Sequence, residues 1–224
     1  MIFIIETYCN MMNLKDRYLS KGGKILEIGS GGGCIKDIYP QIITSDVTEV
    51  NNVDMVVDAQ HLPFEDNELS AIFAMHVIHH IPDINLFLQE AMRCVKKGGG
   101  LVIVEPYWSP VAKVLYKKCH PEPFDEKANS WILDSTGPMS GSNQALSYIL
   151  LKRDRKEFFG RYPEFELVYH RPFNSLRYLA TGGVWLKPKL PQFCFPLLKG
   201  MEKIFWPIMY LTGIHHVFVL KRIE

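Results

Sequence analysis

The segment Lys24 to Val47, KILEIGSGGGCIKDIYPQIITSDV, joins two short apolar runs through a cluster of glycines, with a carboxylate in each run. Glu27, Gly29, Gly31 and Gly33 form an acid-x-Gly-x-Gly-x-Gly series, and Asp46 stands near the end of the second run. Glycines between a strand and a helix bring backbone N–H groups close to a ligand, with the positive helix end behind them. A Walker phosphate loop would need Gly-Lys-Ser/Thr, where this chain has Gly33-Cys34-Ile35. The dinucleotide fingerprint GxGxxG would begin at Gly29 and Gly31 and require Gly or Ala where Cys34 stands, so that reading is weakened.

The elements that must position these residues alternate. Lys24 to Ile28, Ile42 to Ser45, Asp54 to Val57, Leu69 to Met75 and Leu101 to Glu105 read as five short, mostly apolar strands of the kind buried on both faces of a parallel sheet. Ile84, Phe87, Leu88, Ala91, Met92 and Val95 fall on one helical face, with Asp83 as N-cap, Lys96 and Lys97 at the negative end, and Gly98 as the left-handed cap. Beyond Glu105 the spacing predicts helices over Val111 to Lys118 and near Gln144 to Phe159, separated by a Pro/Asp/Ser/Gly-rich loop. Phe165 to Tyr169 and His216 to Leu220 read as two more strands.

In this order, the glycine series together with DAQHLPFEDNELSAIFAMHVIHHIPD and LQEAMRCVKKGGGLVIVEP resembles the class I S-adenosylmethionine-dependent methyltransferases, in particular the methyltransferase type 11 domain. The resemblance covers roughly residues 21–106. It implies an α/β, Rossmann-like, doubly wound sheet of seven mostly parallel strands with an antiparallel last strand. The whole of 1–224 would be one domain, with a core at about 21–110 and a substrate or lid region at about 111–215. It also implies S-adenosyl-L-methionine as cofactor. Gly29, Gly31 and Gly33 would pass under its methionine part, and Glu27 would hold the amino group. Asp46 would take the ribose hydroxyls, Asp58 and the Ala59 N–H would face the adenine, and the Met75 backbone would line the site. The stretch from Gly33 to Asp46 is shorter than the family usually shows, so the first helix must be brief and end at Pro40.

Methyl transfer from a sulfonium is an in-line displacement in which the protein aligns the partners and excludes water. An alcohol acceptor would benefit from a general base, and His76, then His79, follow strand four where such a base belongs. His76 and His79 are also spaced like metal ligands, but no third ligand stands at clear spacing, and no metal is expected. Tyr107 and Trp108, after strand five, are the candidate acceptor contacts.

Composition bounds the rest. With 224 residues and 47% hydrophobic content, one sizeable core is affordable. Cys9, Cys34, Cys94, Cys119 and Cys194 are odd in number and widely spaced, which fits free thiols in a cytoplasmic protein. The N-terminal MIFII lacks a basic region and a cleavage site, so it is not read as a signal peptide. Met1 to Pro110 carries 8 Lys/Arg against 14 Asp/Glu, and the remainder 17 against 10. A basic second half fits an anionic partner, although no RNA-binding module or amino-methylating motif accompanies it, and no nucleic acid is expected.

Between the last two strands, 178–213 forms an apolar insertion broken by prolines. Its uncharged run, interrupted by Pro207 and Gly213, does not read as a membrane span. Lys187, Lys189, Lys199 and Lys203 interleave with Trp185, Phe193, Phe195, Phe205 and Trp206. That pattern fits peripheral contact at the inner face of a membrane, a lid over a greasy substrate, or an excursion packed on the protein's own core. Its character resembles relatives of cell-surface polysaccharide and lipid-linked sugar biosynthesis, which implies a small-molecule or lipid-linked acceptor. The competing reading is a non-enzymatic module that docks through this surface.

Overall fold

The computed structural model describes residues 2–137, 139–173, 176, 180, 190–204 and 206–224. Seven strands form one sheet: β1 (Lys24–Ile28), β2 (Ile43–Asp46), β3 (Met55–Val56), β4 (Leu69–Met75), β5 (Val95–Pro106), β6 (Phe165–Phe173) and β7 (His215–Arg222). Their order is β3-β2-β1-β4-β5-β7-β6, and β7 alone runs antiparallel to its neighbours. This is the mixed, Rossmann-like sheet expected from the sequence.

Successive side chains on a strand point to opposite faces. Leu26, Ile72, Ala74, Leu101 and Ile103 therefore join one core, while Ile25, Ala71, Phe73, Val102 and Val104 join the other. Helix α2 (Ile84–Cys94) covers the first face with Ile84, Phe87, Leu88 and Ala91, all buried. Burying a side chain such as Phe87 contributes about 1.5–3 kcal/mol, and truncating it to alanine should cost about 3–5 kcal/mol. Asp83 caps this helix, accepting from Asn85 N at 2.8 Å.

Helix α2 ends at Cys94 and β5 starts at once, so Lys96, Lys97 and Gly98 belong to a strand rather than to a helix end. Gly98 keeps a left-handed φ of 78° within that strand. The second face is covered by α1 (Ile2–Tyr18), an element the sequence did not announce, through buried Tyr8, Met11 and Leu14. Ile4 and Ile5 on the same helix are exposed, so its apolar residues do not form one clean stripe.

Helix α3 (Pro110–Cys119) matches its expected bounds to about one residue and is capped by Ser109, which accepts from Ala112 N. The helix expected near Gln144 to Phe159 is broken. A short α4 (Leu146–Tyr148) passes into a wide turn at Ile149–Arg153, where Asp154 N reaches back to Ile149 O at 2.8 Å, and α5 (Arg155–Arg161) follows.

Within the insertion, α6 (Phe195–Ile204) and α7 (Met209–Thr212) leave Phe193, Leu197, Ile204, Tyr210 and Leu211 exposed. Trp185, Lys187, Lys189 and Phe205 lie outside the described residues. Among the described residues no helix is long and apolar enough to cross a membrane. All five cysteines are free thiols.

Candidate functional site

A cavity of about 490 Å³ opens at the C-terminal ends of β1, β2 and β4, where the strand order reverses direction. In open α/β sheets this crevice is where ligands bind, and the volume lies in the range of small-molecule sites, about 300–1,000 Å³.

Its floor is the glycine turn. Gly29 and Gly31 have φ of 64° and 52°, conformations that only glycine adopts without strain, and both line the cavity. A Cβ built on Gly31 would meet nothing within 4 Å, so the turn leaves open space above its backbone. Gly33 differs: it is off the wall, and a Cβ there would strike the Asn52 carbonyl oxygen. The turn is followed by one short 3-10 turn, Cys34–Asp37, as the short spacing to Asp46 required.

Asp46, at the end of β2, lines the cavity and is already aimed. Its Oδ2 accepts from Gly31 N at 3.0 Å, and its Oδ1 accepts from Thr48 N and Oγ1 at 3.1 and 3.0 Å. Three of the carboxylate's four lone-pair directions are taken, which leaves one on Oδ2 for a ligand. Asp58 and Ala59, after β3, line the opposite wall. Gln60 donates to both Asp58 oxygens at 3.1 Å and accepts from Asp83 N, which ties this loop to the cap of α2.

Glu27 stands behind the floor, almost fully buried, and its Oε2 has no hydrogen-bond partner among the described residues. Burial raises its pKa, and hydrogen bonds from Ser30 and Tyr8 only partly offset that. Met75 is half-buried against the α1 side of the sheet and is not among the wall residues.

The histidines part company. His76 lines the cavity with a positive φ of 59°, its N–H held by Val104 O at 2.8 Å. Burial pulls its pKa down to about 4, outweighing the nearby Glu105 charge, so its ring is neutral at pH 7. His79 points away from the cavity into a buried cluster, its Nδ1 2.5 Å from Glu105 Oε2. Burial opposes charge there, but Glu105 and Glu122 outweigh it and raise the pKa to about 9. His79 is off the cavity wall, and His76 is the one of the two expected rings that faces a ligand there.

Tyr107 and Trp108 also lie off the wall. Their rings pack against each other at 4.6 Å, tilted by 38°, and both meet His216 of β7, Trp108 edge-on. The sequence reading missed His80 and the loop of Ser135, Gly137 and Met139, which complete the cavity. Ser135 and Ser140 bond each other and the Gly137 carbonyl, closing that loop on itself. Its Ser/Gly composition marks a loop without saying where it folds.

Comparison with known proteins adds to this geometry. Residues 26–103, about a third of the chain, match the family model described as a methyltransferase domain. Over 72 residues the chain is 36% identical to a demethylmenaquinone methyltransferase from Staphylococcus saprophyticus, and the match spans 31% of each chain. Among solved structures, geranyl diphosphate C-methyltransferase from Streptomyces coelicolor, in complex with Mg²⁺, geranyl diphosphate and S-adenosyl-L-homocysteine, aligns with a TM-score of 0.55. The alignment has 12% identity and covers 96% of this chain and 78% of that one. A SAM-dependent methyltransferase from Archaeoglobus fulgidus aligns at 0.54, with 13% identity over 96% of this chain and 93% of that one. At such identities the likeness is one of fold.

Proposed function

We propose that this chain, whose residues 26–103 match a methyltransferase domain, is a class I, S-adenosylmethionine-dependent methyltransferase that acts on a small or lipid-linked acceptor. The observation that carries the reading is the cavity at the strand switch point, with a bare glycine floor beside the aimed carboxylate of Asp46.

The residues present fit the cofactor. Open space above Gly31 admits a ligand backbone, and the free lone pair on Asp46 Oδ2 suits one ribose hydroxyl, with Oδ1 open to the second once the Thr48 hydroxyl turns away. Asp58 with Ala59 suits the adenine edge, and the unpaired Oε2 of Glu27 suits an ammonium group or a bridging water. Gly33 and Met75 would act only by shaping the turn and the strand end. When bound, the cofactor supplies an electrophilic methyl group. The chain's own work is to orient and to exclude water, with neutral His76 able to accept a proton from a hydroxyl acceptor at the cavity wall. Tyr107 and Trp108 would shape the acceptor side from beneath rather than touch it.

The exposed apolar residues of 190–211, with Lys199 and Lys203 beside them, support a peripheral contact with the inner face of a membrane. The neighbour that holds geranyl diphosphate, an apolar chain on a diphosphate, makes a lipid-linked anionic acceptor the first to try. The experiment is to incubate the protein with S-adenosylmethionine and polyprenyl phosphates, polyprenyl-linked sugars or quinols, and to follow release of S-adenosylhomocysteine. Turnover on one class supports the reading. Cofactor binding with no turnover on any class would favour a docking module instead, a reading supported by the single short turn that follows the glycines.

A further inference from the structure

A second polar cluster lies beside the cavity and shares only His80 with its wall. His79 and His80 come from the short turn after β4, and Glu122 from the loop after α3, more than forty residues on. The fold brings them together: His79 Nε2 is 3.5 Å and His80 Nε2 3.7 Å from the same Glu122 oxygen, and the three donor atoms lie within 4.8 Å of one another. Tetrahedral Zn²⁺ with bonds of about 2.0–2.1 Å holds its ligand atoms about 3.4 Å apart. Shifts of a few tenths of an ångström would close the first two edges.

The surroundings of the two rings are a separate observation. Metal-binding histidines usually give their other ring nitrogen to a carboxylate or a backbone carbonyl. Here His79 Nδ1 meets Glu105 Oε2 at 2.5 Å, and His80 Nδ1 meets Gly141 O at 3.4 Å. Glu105 is itself fixed, its Oε1 accepting from Val77 N and Ile78 N at 2.9 Å each. Both rings therefore present Nε2 toward Glu122. The Gln144 amide nitrogen reaches the same point, 3.2 Å from His79 Nε2 and donating to Glu122, so it is the group a cation would displace. Two imidazoles and a carboxylate form a donor set suited to zinc rather than to magnesium or calcium.

We propose that His79, His80 and Glu122 bind one divalent cation of the zinc class, with Glu105 and the Gly141 carbonyl orienting the two rings. His80 also lines the cavity, so the cation would sit in its wall. Glu105 is a positioning residue for this site, and the proposal stands whether or not the chain transfers methyl groups.

The test uses the full chain, stripped with chelator and titrated with ZnCl₂ by calorimetry, beside His80→Ala, Glu122→Gln and Glu105→Gln. One equivalent should bind to the parent. Affinity should fall at least about tenfold in His80→Ala and Glu122→Gln, and about 10–100-fold in Glu105→Gln. Co²⁺ in place of zinc should give a visible four-coordinate spectrum that His80→Ala abolishes. Circular dichroism and thermal melting of the same samples separate loss of the cation site from loss of fold. Zinc uptake that is absent from the parent, or equal in the parent and in folded His80→Ala and Glu122→Gln proteins, would overturn the proposal.

Discussion

Glu105 Oε2 lies 2.5 Å from His79 Nδ1, and neither side chain is more than 3% exposed. The same carboxylate caps the turn that carries His79 by accepting from Val77 and Ile78 N–H groups, so one buried charge holds both the ring and its backbone. Removing one member of such a pair leaves the other charge buried and uncompensated. Glu105→Gln, free of metal, should lose about 3–5 kcal/mol of unfolding free energy in urea. A loss under about 1 kcal/mol would mean that His79 is neutral in the folded protein.

Glu27 should trade stability for binding. Its folded pKa is raised by burial, so the folded form binds the proton more tightly than the unfolded one. Its contribution is therefore fully present below the unfolded pKa, about 4.3, and is lost as pH rises through the folded pKa. Glu27→Gln should melt higher than the parent at pH 8, and the difference should vanish near pH 4. The same variant should bind S-adenosylhomocysteine at least about tenfold more weakly, one hydrogen-bonded charge being worth about 1.5–3 kcal/mol. Equal melting at pH 8 and equal affinity would remove Glu27 from the site.

The glycines should separate by position. Gly31→Ala meets open space and should cost only the left-handed strain, about 1–2 kcal/mol, while obstructing a ligand over the turn. Gly33→Ala adds a collision with the Asn52 carbonyl and should destabilise more. Melting temperatures and S-adenosylhomocysteine titrations of the two variants check the order, which fails if Gly31→Ala binds like the parent.

Much of this arrangement was legible beforehand, for physical reasons. Leu69–Met75 is an unbroken apolar run, as a strand buried on both faces must be, and its bounds match the expectation. Asp83 stands one residue before an apolar stripe of helical period, which marks an N-cap. Gly29, Gly31 and Asp46 lie within one strand-turn-strand unit, so local spacing was enough to bring them together. What stayed hidden depends on contacts between distant segments. Glu122 meets His79 and His80 only because the loop after α3 folds back, and Gln144 joins them from farther still. His76 and His79 look alike in sequence, yet the turn after β4 sends one to the cavity and the other into the core. Helix α1 was missed because Ile4 and Ile5 face solvent and blur its stripe.

The exposed surface near α6 should respond to charge without affecting the core. Leu197 and Ile204 are exposed, so Leu197→Glu with Ile204→Glu should shift stability by no more than about 0.5 kcal/mol each. Sedimentation with vesicles of anionic phospholipid should fall at least about fivefold, each large apolar side chain contributing on the order of 1 kcal/mol or more at an interface. Unchanged sedimentation would move the membrane contact away from this helix.

The most direct test of the cofactor site is a calorimetric titration of the parent and of Asp46→Ala with S-adenosylhomocysteine. The parent should bind with micromolar affinity. The variant, having lost the carboxylate and its bond to Gly31 N, should bind at least about tenfold more weakly, one hydrogen bond to a charged group being worth about 1.5–3 kcal/mol. Absence of binding in the parent, or equal affinity in both proteins, would contradict the assignment of this cavity to the cofactor.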